Sequence, residues 1–469
     1  MSVQIKTVRT PEEMGLSGQA VLHFLKQHEQ LGIHTLAIAR DNKVYSFAVK
    51  PFTTDSPHTL FSLSKSFCAM AAGLAVAEGY LTYEDSLAEV LKDSLPKGYD
   101  KALHEVTLHH LLSMSSGLDE ESDKASRPQA DWAKAALGYK VKHKPGTRFH
   151  YNTMGTYLAG RMVAQRVGMS LRDYLMPRLF GPLGIDKPQW DCCPLGYNIG
   201  GFGLHLSVSD IAKTAQLLLN GGVWGKKRLL PAEFMARATN KQVDNEDKTD
   251  PDFHPDWSQG YGYQFWMARH GRYRGDGMFG QVMMVDEKNN LSLSCTAGLV
   301  MMGTEMDAIH ELMNGLLSLP KLDKTGQEKL IKKTTNLRVR APKDGKEPVF
   351  GEGTYMGDDG RMLRIETPDA DSLRLKFCKQ EDLKPLWFRF GRKKDAQSHF
   401  QPFAAGERPQ KTLGRFGVKD GTLTAQLMMP EAPYRMRVTI QRIGDQAIKV
   451  DMTSVGFEEG SFELKRVAP

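Results

Sequence analysis

Residues 61–79 read FSLSKSFCAMAAGLAVAEG, and this stretch constrains the chain more than any other. From Phe67 to Ala77 it is small and apolar throughout, so a helix built here has no polar face and must be buried. The run is too short to cross a bilayer, which places it inside a protein core. Gly79 supplies a C-terminal stop. Yet Lys65 stands in the first turn, where a cation opposes the helix dipole. Ser62 lies three positions before it, and residues i and i+3 share a helix face. Two readings are open at this point. Ser62 is an N-cap beside a solvated lysine, with Ser64 and Ser66 as further capping candidates, or the pair is chemical. In the second reading a serine hydroxyl, weak on its own, gives its proton to the amine. A lysine serves as that base when burial and nearby charge lower its pKa. The free N–H groups of the helix start then stabilise the oxyanion formed when a carbonyl is attacked.

The apolar spacing predicts a helix over 16–31 with Ser17 as N-cap, then a hairpin of 34–40 and 44–49 turning at Asp41-Asn42-Lys43. Helical patterns dominate 80–195, including 107–114 and 156–167. Another helix is expected within 201–220, with Ser209 at its start. Two strands around Asn289-Asn290 and a helix over 304–318 close the region. Elements of this order predict an α+β unit: an antiparallel sheet made from both ends, helices on both faces, and a helical insertion at about 80–195. The expected domains are 1–320, a basic linker at 321–347, and 348–469. Nine Lys/Arg face three Asp/Glu between 321 and 346, a composition suited to a linker or solvated helix. Beyond it, short alternating strands with turns at Asp358-Asp359-Gly360, Asp420-Gly421 and Gly444-Asp445 predict an all-β barrel or sandwich.

Several functional classes are disfavoured. The formal charge of +7 is small for 469 residues, and no nucleic-acid-binding signature accompanies it. The five cysteines are scattered, with no CxxC, which suits a reducing compartment. The N-terminus has no apolar signal region, so a cytoplasmic, soluble protein without membrane partners is expected. The string beginning His104-Glu105 fails as H-E-x-x-H at Leu108. The GGVWGKK string fails as a phosphate loop at Asn220 and Lys227, and no G-x-S-x-G occurs.

The segment LFSLSKSFCAMAAGLAVAEGYLTYEDSL resembles the first signature of class C β-lactamases and the related esterases and peptidases of the β-lactamase/penicillin-binding-protein superfamily. VTLHHLLSMSSGL at 106–118 and PGTRFHYNTMGTYLAG from 145 are similar to the next stretches. GYGYQFW and the G-x-G-x-x-G-Q pattern are most similar to the aminohexanoate-dimer hydrolase branch and related carboxylesterases. The resemblance spans about residues 10–318. It implies a β-lactamase/transpeptidase-like fold and a serine hydrolase working through an acyl-enzyme on a small acyl substrate, an ester or amide, with no metal or organic cofactor. Ser62 is the implied nucleophile, and Lys65 and Tyr151 its proton-handling partners, with the phenol's pKa expected to be lowered by the lysine. Thr153 occupies the family's asparagine position, and Asn152 stands one place earlier. The third signature falls on Gly275-Asp276-Gly277, where Gly275 replaces a basic residue or histidine that binds a substrate carboxylate. Gly277 lets the substrate backbone approach, and the Met278 N–H is the implied second oxyanion donor. Tyr261, Tyr263, Phe265 and Trp266 are expected either to line an acyl pocket or to pack in the core. A D-amino-acid peptidase or amidase and a non-catalytic binding protein of the same fold are the alternatives. The β-rich segment resembles lipocalin-like domains appended to some D-aminopeptidases, which leaves active-site covering, homo-oligomerisation and ligand binding open.

Overall fold

The computed structural model describes residues 5–29, 31–119, 125–246, 254–379, 386–400, 408–444 and 446–467. Gln30 of the expected first helix and Asp445 of the expected last turn lie outside these residues. Two compact units divide between Leu337 and Arg338.

The first unit is built on a seven-stranded sheet: β1 (Lys6–Thr7), β2 (Ile33–Arg40), β3 (Lys43–Ala48), β4 (Trp266–Ala268), β5 (Arg272–Gly277), β6 (Gln281–Asp286) and β7 (Leu291–Ala297). Their order is β1-β3-β2-β7-β6-β5-β4, so both ends of the segment meet at the β2–β7 pair. All pairings are antiparallel except the short edge strand β1, which runs parallel to β3 and departs from the expected pattern. Alternation along β6 explains the layers. Val282 and Met284 face a core with Leu36, Ile38 and Phe47. The helices of that layer are α1 (Gly18–Gln27) and α5 (Met302–Ser318). Met283 and Val285 face the opposite core, which holds α2 (Ser64–Ala77), α3 (Thr153–Val167) and α4 (Val208–Leu219).

Local details correct two expected caps. Ser17 occupies the N-cap position of α1, but its hydroxyl donates to the Pro320 carbonyl and does not cap the helix. Ser207, not Ser209, caps α4, in a reciprocal pair with Asp210. Ser209 instead donates to Asp55 and the Thr54 carbonyl. A helix, α6 (Lys324–Thr335), falls in the basic stretch; it buries Leu330 and Thr334, and Asp323 caps it.

In the second unit ten strands run from β8 (Gly353–Met356) through β9 (Arg361–Asp369), β10 (Ser372–Lys379), β11 (Leu386–Gly391), β12 (Ala396–Phe400), β13 (Gln410–Lys419), β14 (Thr422–Met428), β15 (Arg435–Arg442) and β16 (Ala447–Val455) to β17 (Gly460–Arg466). β8 pairs with β17, and β11 meets β13 at Gly391 and Arg415, closing a nine-stranded barrel; β12 pairs with β13 beside that seam. The barrel, not the sandwich, is therefore the outcome. Alternate residues such as Leu363, Ile365, Phe388, Phe390, Val438 and Ile440 fill its interior. Asp420-Gly421 forms the two-residue turn between β13 and β14, both residues having positive φ.

The β2–β3 turn obeys the same rule: Asp41 and Asn42 have φ of 52° and 56°. Asn42→Val should therefore lower unfolding free energy by about 1–2 kcal/mol, because a β-branched side chain is strained in the left-handed region. Asn42→Gly should stay within about 1 kcal/mol of the parent. Thermal unfolding of both variants checks this, and equal losses would point to the side chain instead of the backbone.

Candidate active site

Ser62 lies in a single 3₁₀ turn, Phe61–Leu63, that runs directly into α2. One turn on, the Lys65 side chain lies inside the protein, with 1% of the residue exposed. The reading of Lys65 as a solvated surface lysine is therefore ruled out. Its Nζ is 3.0 Å from Ser62 Oγ and donates to the Gly201 carbonyl at 2.8 Å. It also lies 5.0 Å from the centre of the Tyr151 ring. The Tyr151 hydroxyl is hydrogen-bonded to the Ser62 side chain. Lys65, three positions on, and Tyr151, remote in sequence, thus converge on one hydroxyl group.

The electrostatics of Tyr151 differ from the sequence expectation. Burial, reinforced by the Asp276 carboxylate, pushes the phenol well above its ordinary value, and the bond to Ser62 offsets only part of this. Tyr151 is consequently a protonated phenol at neutral pH. Its ring stacks on Trp266 at 5.4 Å and meets Tyr261 edge-on. Tyr261 and Trp266 therefore support the tyrosine, whereas Tyr263 and Phe265 belong to the main core.

Strand β5 seats against this turn through its glycines. A methyl group at Gly277 would overlap the Leu60 carbonyl oxygen, and one at Gly275 would lie 2.5 Å from Ser66 Oγ. Only a strand without side chains at both positions can lie this close. Edge strand β4 pairs only with Arg272–Arg274, so Gly275–Gly277 have a strand neighbour on the β6 side alone among the described residues. On the alternate face, Arg274 Nε pairs with Asp276 at 2.9 Å, and both side chains are buried. Burial raises the Asp276 carboxyl, while Arg274, a hydrogen bond with Trp266, and Lys65 oppose the rise. The position where the resemblance expects a cation is Gly275, flanked by Arg274 and Asp276, which pair with each other.

Asn152 and Thr153 are placed at the start of α3. Asn152 caps it, accepting from the Gly155 N–H at 2.9 Å, and its buried Nδ2 has no hydrogen-bond partner. Thr153 packs on Gly201, where an added Cβ would lie 2.7 Å from its methyl group. Met278 follows β5, with Phe279 and Gly280 both at positive φ in the turn to β6.

The sequence reasoning missed four residues here. Gly201 gives Lys65 its carbonyl partner. Gln264 joins three elements: its carbonyl accepts from Ser66, its Oε1 from Thr156, and its Nε2 donates to Leu111 and Leu112. Arg274 neutralises Asp276. Glu305, in the first turn of α5, is buried against the turn after β5, with Cys295 Sγ at 3.4 Å. A glycine-rich GGFG string was the one available signal for Gly201; nothing local marks the others.

A model of the family described as Beta-lactamase matches residues 19–302, more than half of the chain. The chain belongs to the Beta-lactamase family. Within that family it is 23% identical over 261 residues to the 6-aminohexanoate-dimer hydrolase of Paenarthrobacter ureafaciens, covering 51% of this chain and 65% of that protein. It is 28% identical over 151 residues to penicillin-binding protein 4* of Bacillus subtilis (strain 168), covering 30% of this chain and 32% of the relative. Both matches thus span less than two thirds of the relatives' lengths. Among solved structures, EstCE1, a hydrolase with promiscuous acyltransferase activity, superposes with a TM-score of 0.51 at 17% identity. That match covers 65% of this chain and 99% of EstCE1. A penicillin-binding-protein homologue from Caulobacter crescentus gives 0.51 at 18% identity, covering 63% of this chain and 95% of its own. These likenesses establish the β-lactamase/transpeptidase fold. No helix among the described residues is long and apolar enough to cross a membrane.

Glu305 gives this family member a pH signature. Burial raises its carboxyl; the Cys295 contact and Arg274 oppose the rise and Asp276 adds to it, leaving the pKa at about 8 against an ordinary 4.5. Between those two values the folded state holds a proton that the unfolded chain has released, so stability falls as pH rises through the window. The loss from this residue should be on the order of 3–5 kcal/mol. Glu305→Gln should abolish it, so that thermal unfolding at pH 5 and pH 8.5 separates the variant from the parent only at the higher pH. Parallel pH profiles would contradict this placement of the proton.

Proposed function

We propose that the chain is a serine hydrolase that cleaves an ester or amide of a small substrate through an acyl-enzyme on Ser62. The observation that carries the reading is the convergence of a buried amine, at 3.0 Å, and a half-buried phenol on the same hydroxyl group. Family membership supports the coarser part, since its named relatives include hydrolases.

In the resting arrangement the Lys65 amine donates to Ser62 Oγ. With the amine neutral, the same contact carries the serine proton to Nζ as Oγ attacks the carbonyl carbon. The carbonyl oxygen then takes the negative charge and is held by the Ser62 and Met278 N–H groups. Tyr151, kept protonated by its buried setting, gives its proton to the leaving oxygen or nitrogen and is reprotonated from Lys65. The acyl group remains on Ser62 until water, deprotonated through the same pair, attacks it; the bond from the acyl carbon to Oγ then breaks, Oγ takes the proton back from the pair, and the carboxylic acid is released. Gly201 fixes the amine during both halves. Gly275 stands where the resemblance expects a cation, and both arginines of β5 are already paired, Arg272 with Asp286 and Arg274 with Asp276, which disfavours penicillin-like and D-alanyl-D-alanine substrates.

Labelling with a fluorophosphonate, followed by intact mass and peptide mapping, should give one adduct on Ser62, absent from Ser62→Ala and Lys65→Ala. Tyr151→Phe should keep its fold and lose about 100-fold or more in kcat, the usual scale for a lost general acid. No adduct together with no turnover of small acyl esters or amides would favour the binding-protein alternative. Preference for amides bearing a free amine would point to a peptidase.

A further inference from the structure

Three of the large apolar side chains stand out for their exposure: Met278 at 57%, Val300 at 64% and Met301 at 71%, above every other large hydrophobic residue among those described. They are not scattered. The Leu299 N–H bonds to the Phe279 carbonyl at 3.3 Å, so the segment after β7 runs beside the turn that carries Met278. Val300 and Met301 follow within two residues of that bond, and consecutive Cα atoms are only about 3.8 Å apart. Phe279 meets Phe61, the residue before the nucleophile, edge-on at 5.3 Å. Both phenylalanines hold positive φ, 47° for Phe61 and 66° for Phe279. Aromatic residues rarely adopt this region, because the side chain crowds the backbone there. Single exposed apolar residues need no explanation, but a cluster at the mouth of a site, held on strained backbone, does.

The direction of the chemistry identifies the occupant. The leaving group must face the proton donor, and Tyr151 lies with Trp266 and Tyr261 on the β4 side. The group attached to the carbonyl carbon departs the other way, past the residue whose N–H holds the carbonyl oxygen. That residue is Met278. None of the five residues is charged, so the surface suits hydrocarbon.

We propose that Phe61, Met278, Phe279, Val300 and Met301 form an acyl-chain subsite, and that the preferred substrates are esters of medium-chain fatty acids. This inference rests on the Ser62 hydrolase reading and narrows its substrate class. The subsite stays open to solvent, so each added methylene transfers only part of its surface.

A series of p-nitrophenyl esters from acetate to octanoate, each below its aggregation concentration, tests it. Full burial of a methylene corresponds to roughly fourfold in kcat/KM, and half burial to about twofold. The parent should therefore gain about 60-fold across the six methylenes. The double variant Val300→Ser/Met301→Ser changes only exposed side chains outside the proton machinery. It should keep acetate turnover within about twofold and lose about tenfold on octanoate. A flat or falling series in the parent, or an unchanged slope in the variant, overturns the acyl-chain subsite while leaving the hydrolase reading intact. Absence of turnover on every ester, with no fluorophosphonate adduct, overturns both.

Discussion

The buried amine of Lys65 sets terms that the surrounding structure has to meet. Taking an ammonium out of water costs several kcal/mol unless its donors are satisfied and an opposite charge stands near. The Gly201 carbonyl and Ser62 Oγ accept from it, the Tyr151 ring lies 5.0 Å away, and Asp276 supplies attraction. Each of these depends on close packing. Gly201 reaches Nζ because Thr153 rests where its side chain would be. Asp276 comes near because β5 lies on the Ser62 turn with glycines at alternate positions. The apolar helix α2, buried along most of its length, keeps water from relieving the amine by any other route.

The third signature shows how one strand can carry two incompatible tasks. Its glycine face approaches the Ser62 turn, and its opposite face holds Arg274 and Asp276. Arg274 is wholly buried; its Nε reaches Asp276, its Nη1 the Asp256 carbonyl, and its guanidinium lies over Trp257. A cation bound in this way is committed to the protein and is poorly placed to recruit a substrate carboxylate. Asp256 is tied in turn to His310 and Arg269, so the polar layer behind β5 is continuous and fixes the strand's height. Glu305 adds a further buried carboxyl against the following turn, kept neutral by its surroundings at physiological pH.

Much of this could be read from the sequence because the relevant information is local. The β2–β3 hairpin followed from Asp41-Asn42, the two-strand run from Asn289-Asn290, and the alternating inward residues of the barrel from period two. Ser62 and Lys65 were legible as a pair because three residues on a helix share a face. What stayed hidden involves partners remote in sequence. Ser66 meets Gln264 across 198 positions, and Lys65 meets Gly201 across 136. A buried glutamine with its amide fully used has no sequence signature. The raised phenol of Tyr151 departs from expectation for a related reason: the lysine is visible as a neighbour in the sequence, whereas burial and the Asp276 carboxylate, which raise the phenol, arise only from tertiary packing.

The proposed reaction makes opposite demands on solvent at the two sides of Ser62. The proposed proton transfer between Lys65, Ser62 and Tyr151 would require a dry setting, where charges are strong and the amine has few competitors. Hydrolysis of the proposed acyl-enzyme would require water to arrive at the carbonyl carbon. The fold separates the two. Tyr261, Trp266 and α3 close the side of Tyr151, while the turn carrying Met278 leaves its side chain more than half exposed. An apolar yet open rim admits water when no chain lies on it and lets hydrocarbon displace that water when one does. The proposed subsite would then favour an acyl group during attack and release it after hydrolysis, since the product is an anion that water solvates better than an open apolar rim does.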